Sequence, residues 1–183
     1  GCSTAVIRIG QRGAVWRMVL CGSAVRQDGR SASLTAPNGQ AQQGLLRGAL
    51  QDTSLQAHAM SLNEAHGTGT ALGDPIEAGS LVAAVLAEQR PVDAFVCGGI
   101  KANLGHGEST AGMSGLLQMA LGLVRGEASP NAQLRVLNPL LAAPFRALDA
   151  SVLAQSAGPV EETTAGVSSF GYSGTIAHAI LRY

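Results

Sequence analysis

Two histidines stand out by their surroundings. His66 lies in Ala65-His66-Gly67-Thr68-Gly69-Thr70, and His106 lies in Leu104-Gly105-His106-Gly107-Glu108. Each follows a short apolar run that reads as a strand, and each sits in a glycine-rich turn leading toward a helix. In an α/β sheet that place is the carboxyl end of a strand, where ligands bind. Flanking glycines let a ligand come close to the backbone. Two neutral imidazoles at adjacent strand ends could hold one carbonyl or enolate oxygen through Nε2–H. A pair of ordinary capped turns fits the same spacing equally well.

Lys101 lies five residues before His106, near the end of a predicted buried strand. A cation there is costly unless paired. Glu108 is the candidate partner, and the pair would orient His106; the alternative is a lysine head that reaches solvent. The loop Gly171-Tyr172-Ser173-Gly174-Thr175 offers backbone N–H groups for half of an oxyanion hole. A lone histidine such as His58 reads as structural or surface. Other chemistries lack their residues. There is no phosphate-loop spacing, no G-x-G-x-x-G after a strand and no G-x-S-x-G elbow. Cys2, Cys21 and Cys97 have neither metal-ligand spacing nor an even disulfide framework, so no metal site is expected. They fit a reducing, cytoplasmic compartment.

The elements that must position these residues follow from the patterning. Residues 3–9 and 14–20 read as two strands joined by a turn, followed by a polar loop over 22–39. Residues 41–50 read as a helix. Residues 60–65 read as a strand, and 67–70 as a turn. A helix start follows, with Asp74 as N-cap, Pro75 at N1 and Glu77 at N3; it runs to about Leu86. Residues 94–100 form the next buried strand. Residues 110–124 form a long helix rich in small residues and apolar on more than one face, which implies burial on several sides. Residues 130–144 read as irregular. Strands over 164–170 and 177–181 close the chain. This order implies an α/β layered domain.

The 183 residues are about one domain's worth. Aromatics are 3% of the chain, so the core is aliphatic. Twelve basic residues balance twelve acidic ones, which leaves no basic patch for nucleic acid. No apolar run approaches the ~20 residues of a membrane span. The chain begins Gly1-Cys2 without Met and reads as a segment of something longer.

Three long motifs now carry a resemblance. Glu64-Ala65-His66-Gly67-Thr68-Gly69-Thr70-Ala71-Leu72-Gly73-Asp74-Pro75-Ile76-Glu77 resembles the first histidine motif of β-ketoacyl synthases. Lys101-Ala102-Asn103-Leu104-Gly105-His106-Gly107-Glu108 resembles their lysine–histidine motif, and Val167-Ser168-Ser169-Phe170-Gly171-Tyr172-Ser173-Gly174-Thr175-Ile176-Ala177-His178 their closing motif. A fourth stretch, Gly22 to Arg30 followed by Thr35-Ala36-Pro37-Asn38-Gly39, is similar to the ketosynthase domain of modular type I polyketide synthases. The closing motif departs from the family at Ile176, where Asn is usual. Residues 161–164 (Glu-Glu-Thr-Thr) fill a stretch that is commonly basic.

The resemblance implies a thiolase-like fold. This chain would hold the second βα half plus the last strands of the first, as a mixed five-stranded sheet with layered helices. Residues 1–30 would end the N-terminal half, and 31–183 would be the C-terminal half. The family's nucleophilic cysteine belongs upstream, so the segment alone is expected to be inactive. The implied reaction is a decarboxylative Claisen condensation of an acyl thioester with a malonyl-type extender. His66 and His106 would hold the extender's thioester oxygen and the enolate, and Lys101 would position His106. Thr68 and Thr70 would bond the phosphopantetheine arm of an acyl carrier protein, which delivers the substrate; no cofactor is bound directly. Tyr172 would supply an oxyanion N–H and gate the acyl pocket. Implied partners are the upstream half, the carrier protein and a second copy in a homodimer. Two alternatives are a decarboxylating, non-elongating ketosynthase and a non-catalytic scaffold with the same fold.

Overall fold

The computed structural model describes residues 18–30, 36–88, 95–132, 134–146, 150–152 and 164–183. The strand expected over 3–9, Cys2 and residues 161–163 lie outside them.

The described residues form one mixed sheet. Its strands are β1 (Val19–Gln27), β2 (Met60–Glu64), β3 (Phe95–Gly98), β4 (Ala150–Val152), β5 (Thr164–Phe170) and β6 (Thr175–Arg182), in the order β1-β6-β5-β2-β3-β4. The pairs β5/β2, β2/β3 and β3/β4 are parallel; β6 runs antiparallel to both β5 and β1. The mixed sheet expected from the sequence is present, and the three-residue β4 extends it to a sixth strand.

The helices are α1 (Gly39–Gln51), α2 (Gly73–Ala84), α3 (Lys101–Leu104), α4 (Ala111–Arg125) and α5 (Pro139–Arg146). Side chains of α1, α2 and α5 pack on one face of the sheet: Leu46, Ala49, Ala78, Leu81 and Phe145 meet Met60, Cys97 and Ile180. On the other face Met119 and Leu123 of α4 meet Leu62, Ala165, Val167 and Leu181. The central strands are therefore covered on both sides, which accounts for their near-continuous apolar character.

Four expectations change. The first described strand lies over 19–27 and so runs on into the stretch read as a polar loop; residues 14–17 of the strand expected over 14–20 lie outside the described residues. Most of its side chains are exposed, because it is an edge strand, and such a strand lacks the unbroken apolar run that marks a buried one. Residues 139–146 are helical, overlapping the end of the stretch read as irregular; Asn138 starts the helix by accepting the Leu140 N–H. A one-turn helix, α3, stands between β3 and His106. The start of α2 is also built differently. Leu72 is its N-cap and gives no side-chain cap. Asp74 instead accepts the Gly69 N–H.

Helix α4 is buried along Ala111, Gly115, Met119, Gly122 and Leu123. Its opposite side presents Leu117, Leu121 and Val124 to solvent, 40%, 51% and 45% exposed. These three recur at helical spacing and form one apolar stripe. The chain by itself is therefore expected to self-associate, seen by light scattering as a mass that rises with concentration. Leu117→Gln with Leu121→Gln should suppress the rise; a monodisperse monomer of the unaltered chain would count against this.

Candidate functional site

His66 lies two residues beyond the end of β2. His106 lies beyond β3 and the short α3, whose last turn ends at Gly105 with φ 79° and ψ 175°. Only glycine adopts that backbone without strain, and it turns the chain so that His106 comes back toward His66. The imidazole centroids are 5.7 Å apart and nearly perpendicular. His58 lies before β2, at the other end of the sheet, and is exposed.

Backbone N–H groups fix which ring nitrogen each imidazole presents. Phe170, the last residue of β5, donates its N–H to His66 Nδ1 at 3.3 Å. The Glu108 N–H is directed to His106 Nδ1, also at 3.3 Å. In a neutral imidazole one nitrogen accepts and the other carries the proton. Both rings therefore hold their proton on Nε2. Burial, followed by the charges of Lys101 and His106, pushes His66 down to about 4, so it is neutral near pH 7. The Phe170 ring packs on His66, with centroids 5.3 Å apart.

Lys101 does not depend on Glu108 as expected. Glu108 acts on His106 through its backbone, in a left-handed conformation with φ 48°. Burial lowers the Lys101 ammonium from its ordinary range, and the carboxylates that oppose this are Glu64, Glu77 and Asp74. Those acids sit far from Lys101 in sequence, so spacing alone could not reveal them.

Thr68 is half-buried and Thr70 exposed in the turn between His66 and α2. The Thr70 hydroxyl accepts the Gly73 N–H at 3.1 Å. Tyr172 stands at the tip of the β5–β6 hairpin, 86% exposed. The hairpin closes through Gly171 N–H to Thr175 O at 2.7 Å and Gly174 N–H to Gly171 O at 3.0 Å. It is tied to the end of β1 by Gln27 Nε2 to Ser173 O and by Asp28 N–H to Gly174 O. Ile176 is fully buried beneath it. Cys97 is buried, and burial followed by nearby Glu77 and Glu64 pushes its thiol up to about 12. It stays protonated near neutral pH and makes a poor nucleophile.

Residues 17–135 match the family described as beta-ketoacyl synthase, C-terminal domain. The chain belongs to that family. Among curated relatives, the polyketide synthase GfsE of Streptomyces halstedii is 44% identical over 167 residues, covering 89% of this chain and 4% of the relative. Erythronolide synthase EryA3 of Saccharopolyspora erythraea is 43% identical over 166 residues, covering 89% and 5%. The ketosynthase from module 6 of the bacillaene synthase of Bacillus subtilis 168 superimposes with a TM-score of 0.82 at 31% identity, over 91% of this chain and 30% of that one. The oxazolomycin ketosynthase domain OzmH KS7 of Streptomyces albus JA3453 gives 0.84 at 32%, with the same coverage. This ketosynthase chain thus spans less than a tenth of the length of those curated relatives and under a third of those solved chains. The thiolase-like α/β fold class holds. Among the described residues, no helix is long and apolar enough to cross a membrane.

Two buried acids beside the histidine turns were missed in the sequence. Glu77 reads there as a helix-start acid, and Glu64 as the next-to-last residue of a strand. Both are buried. A glutamate closing an apolar strand is the one local sign of a held charge.

Proposed function

We propose that this chain is the C-terminal half of a ketosynthase that condenses an acyl thioester with a malonyl-type extender as part of a polyketide synthase. The observation that carries the reading is the pair of Nε2–H donors, each fixed by a backbone N–H on Nδ1, with ring centres 5.7 Å apart. Fixed donors aimed where negative charge develops lower the barrier most.

In this reading an upstream cysteine thiolate takes the acyl group from its carrier thioester, releasing the carrier thiol. The malonyl thioester then loses carbon dioxide, and the electron pair of the broken C–C bond becomes an enolate. His66 and His106 donate to the enolate oxygen. The enolate carbon attacks the acyl carbonyl, the new C–C bond forms, and the cysteine leaves as thiolate. The Tyr172 N–H holds the oxyanion of that second centre, and its side chain borders the acyl pocket. Thr68 and Thr70 bond the phosphopantetheine arm. Lys101 sets the electrostatics of the histidine pair. The enzyme is a transferase that works with an acyl carrier protein, as a homodimer, in the cytoplasm. Residues 1–30 end the N-terminal half and 31–183 form the C-terminal half.

The test uses the acyl-loading half-reaction. Incubated with a radiolabelled acyl-carrier thioester, the chain alone is expected to gain no covalent label, whereas the parent synthase is labelled on its cysteine. A stable adduct on Cys2 or Cys97 would overturn the reading.

A further inference from the structure

One face of the sheet carries a buried row of polar groups that the chemistry above leaves without a role. His178 of β6 is 2% exposed and Asn63 of β2 is 1% exposed. His178 Nδ1 lies 3.0 Å from the hydroxyl of Ser168, its registered neighbour on β5. The Asn63 amide reaches the thiol of Cys97, its registered neighbour on β3. Asn63 Oδ1 is buried with no hydrogen-bond partner. Cys97 and Ile180 place this row on the face covered by α1, α2 and α5.

Gly166 of β5 lies between the two ends of the row. It pairs with Asn63. A Cβ built on it would stand 2.8 Å from Asn63 Oδ1, 2.8 Å from His178 Nε2 and 2.7 Å from His178 Cε1. The amide oxygen and the imidazole edge thus converge over a bare Cα, and any side chain there would drive them away. A buried acceptor without a donor is costly. A neutral His178 with its proton on Nε2 supplies the donor, and its Nδ1 is then free to accept from the Ser168 hydroxyl. Burial pushes His178 down to about 4, so the ring is neutral near pH 7.

The row sits where the strands most need a tie. The β2–β5 ladder shifts register between Met60 and Leu62, and beyond that point Leu62 pairs with Ala165, Asn63 with Gly166 and Glu64 with Val167. His66 follows two residues after β2 and takes the Phe170 N–H, at the end of β5, on its Nδ1. A slide of β2 along β5 therefore moves His66 off its donor. So short a ladder guards poorly against slippage, whereas a satisfied buried polar network specifies one arrangement. His178 carries the tie on to β6, which fixes β2 to the whole β5–β6 hairpin.

We propose that Asn63, His178 and Ser168 are positioning residues of the condensation site. They form a polar latch across β2, β5 and β6: the Ser168 hydroxyl donates to His178 Nδ1, and the His178 Nε2–H serves Asn63 Oδ1. The latch sets the slide of β2 against the hairpin and so holds the Phe170 N–H on His66. It deepens the reading of His66 as an enolate donor and rests on it.

The experiment compares Asn63→Leu, His178→Phe, the two combined, Ser168→Ala and His66→Ala in the parent synthase. Malonyl decarboxylation and acyl loading are assayed separately. Asn63→Leu and His178→Phe are each expected to lower kcat for decarboxylation at least ~10-fold, since small misplacements of reacting groups carry losses of that order or more. KM for the malonyl thioester and the rate of acyl loading should stay near wild type, because the hairpin keeps its own closing bonds. The combined variant should be no slower than the more impaired single one, since members of one network do not act independently. Ser168→Ala removes a hydroxyl alone and should lower kcat with the same split; it decides the matter if the larger changes do not accumulate as folded protein. Losses that multiply in the combined variant, equal losses in the two half-reactions, or wild-type decarboxylation alongside a large loss in His66→Ala would overturn the inference and leave the reading intact. No loss in His66→Ala would remove both.

Discussion

Replacing His66 or His106 by alanine in the parent synthase is expected to slow malonyl decarboxylation about a hundredfold each, because one lost oxyanion-type donor costs ~3 kcal/mol. Acyl transfer to the cysteine should fall far less, since backbone N–H groups, including that of Tyr172, hold its oxyanion in the proposed scheme. The double variant should lose less than the product of the two single losses, because both donors serve one oxygen and neighbouring contributions do not add. Rates of the two half-reactions, measured on the same preparations, check this. Equal loss in both would place the histidines in the fold and not at the enolate. Phe170→Ala leaves its N–H in place, so His66 should keep its tautomer; loss of the tautomer would mean that ring packing, not the backbone bond, sets it.

Stability should vary little with pH between 4.5 and 6.5, and single substitutions should tilt the profile in opposite directions. Burial raises Glu64 and Glu77 from 4.5 to about 7. Their contribution is therefore complete below 4.5 and is lost as pH rises through about 7. Burial lowers His66 and His178 from 6.5 to about 4. Theirs is complete above 6.5 and is lost as pH falls through about 4. Across the shared window the two pairs oppose one another. Glu77→Gln removes one falling contribution, so stability should climb with pH by up to ~1.4 kcal/mol per unit. His178→Asn should make it fall by a similar amount; His178 is buried, with Nδ1 3.0 Å from Ser168 Oγ. Urea unfolding at several pH values checks both signs. Parallel profiles for wild type and both variants would show that these groups do not change protonation on folding.

How much of this is legible in the sequence depends on range. The pattern places helix α4 to within a residue at either end, because a long 3.6-residue period averages out local ambiguity and Gly126 ends it in a left-handed conformation. Helix α3 has a single turn, too short for any period to register. Edge strand β1 lacks the apolar run that marks the buried strands. The closeness of His66 and His106 is readable as matched turns after neighbouring strands. The identity of Lys101's counter-charges is not, since Glu64, Glu77 and Asp74 reach it only once β2, α2 and α3 are packed. Glu77 is the sharpest case. Three residues after Asp74 it fits a local helix cap, yet its carboxylate turns back to amides ten and eleven positions earlier.

In the proposed scheme the hairpin that carries Tyr172 separates a fixed function from a variable one. Its main chain is pinned from within by Gly171 and Gly174 and from outside by Gln27 and Asp28, and Asn38 in turn fastens that corner by donating to the Asp28 and Arg30 carbonyls while capping α1. None of these bonds involves the Tyr172 side chain. The residue at this position can thus be exchanged for a larger, smaller or more polar one while its amide stays where it is. In the proposed scheme the hairpin works as a mount with an interchangeable fitting: chain-length or polarity preference would drift at one codon without disturbing the geometry that every acyl group needs.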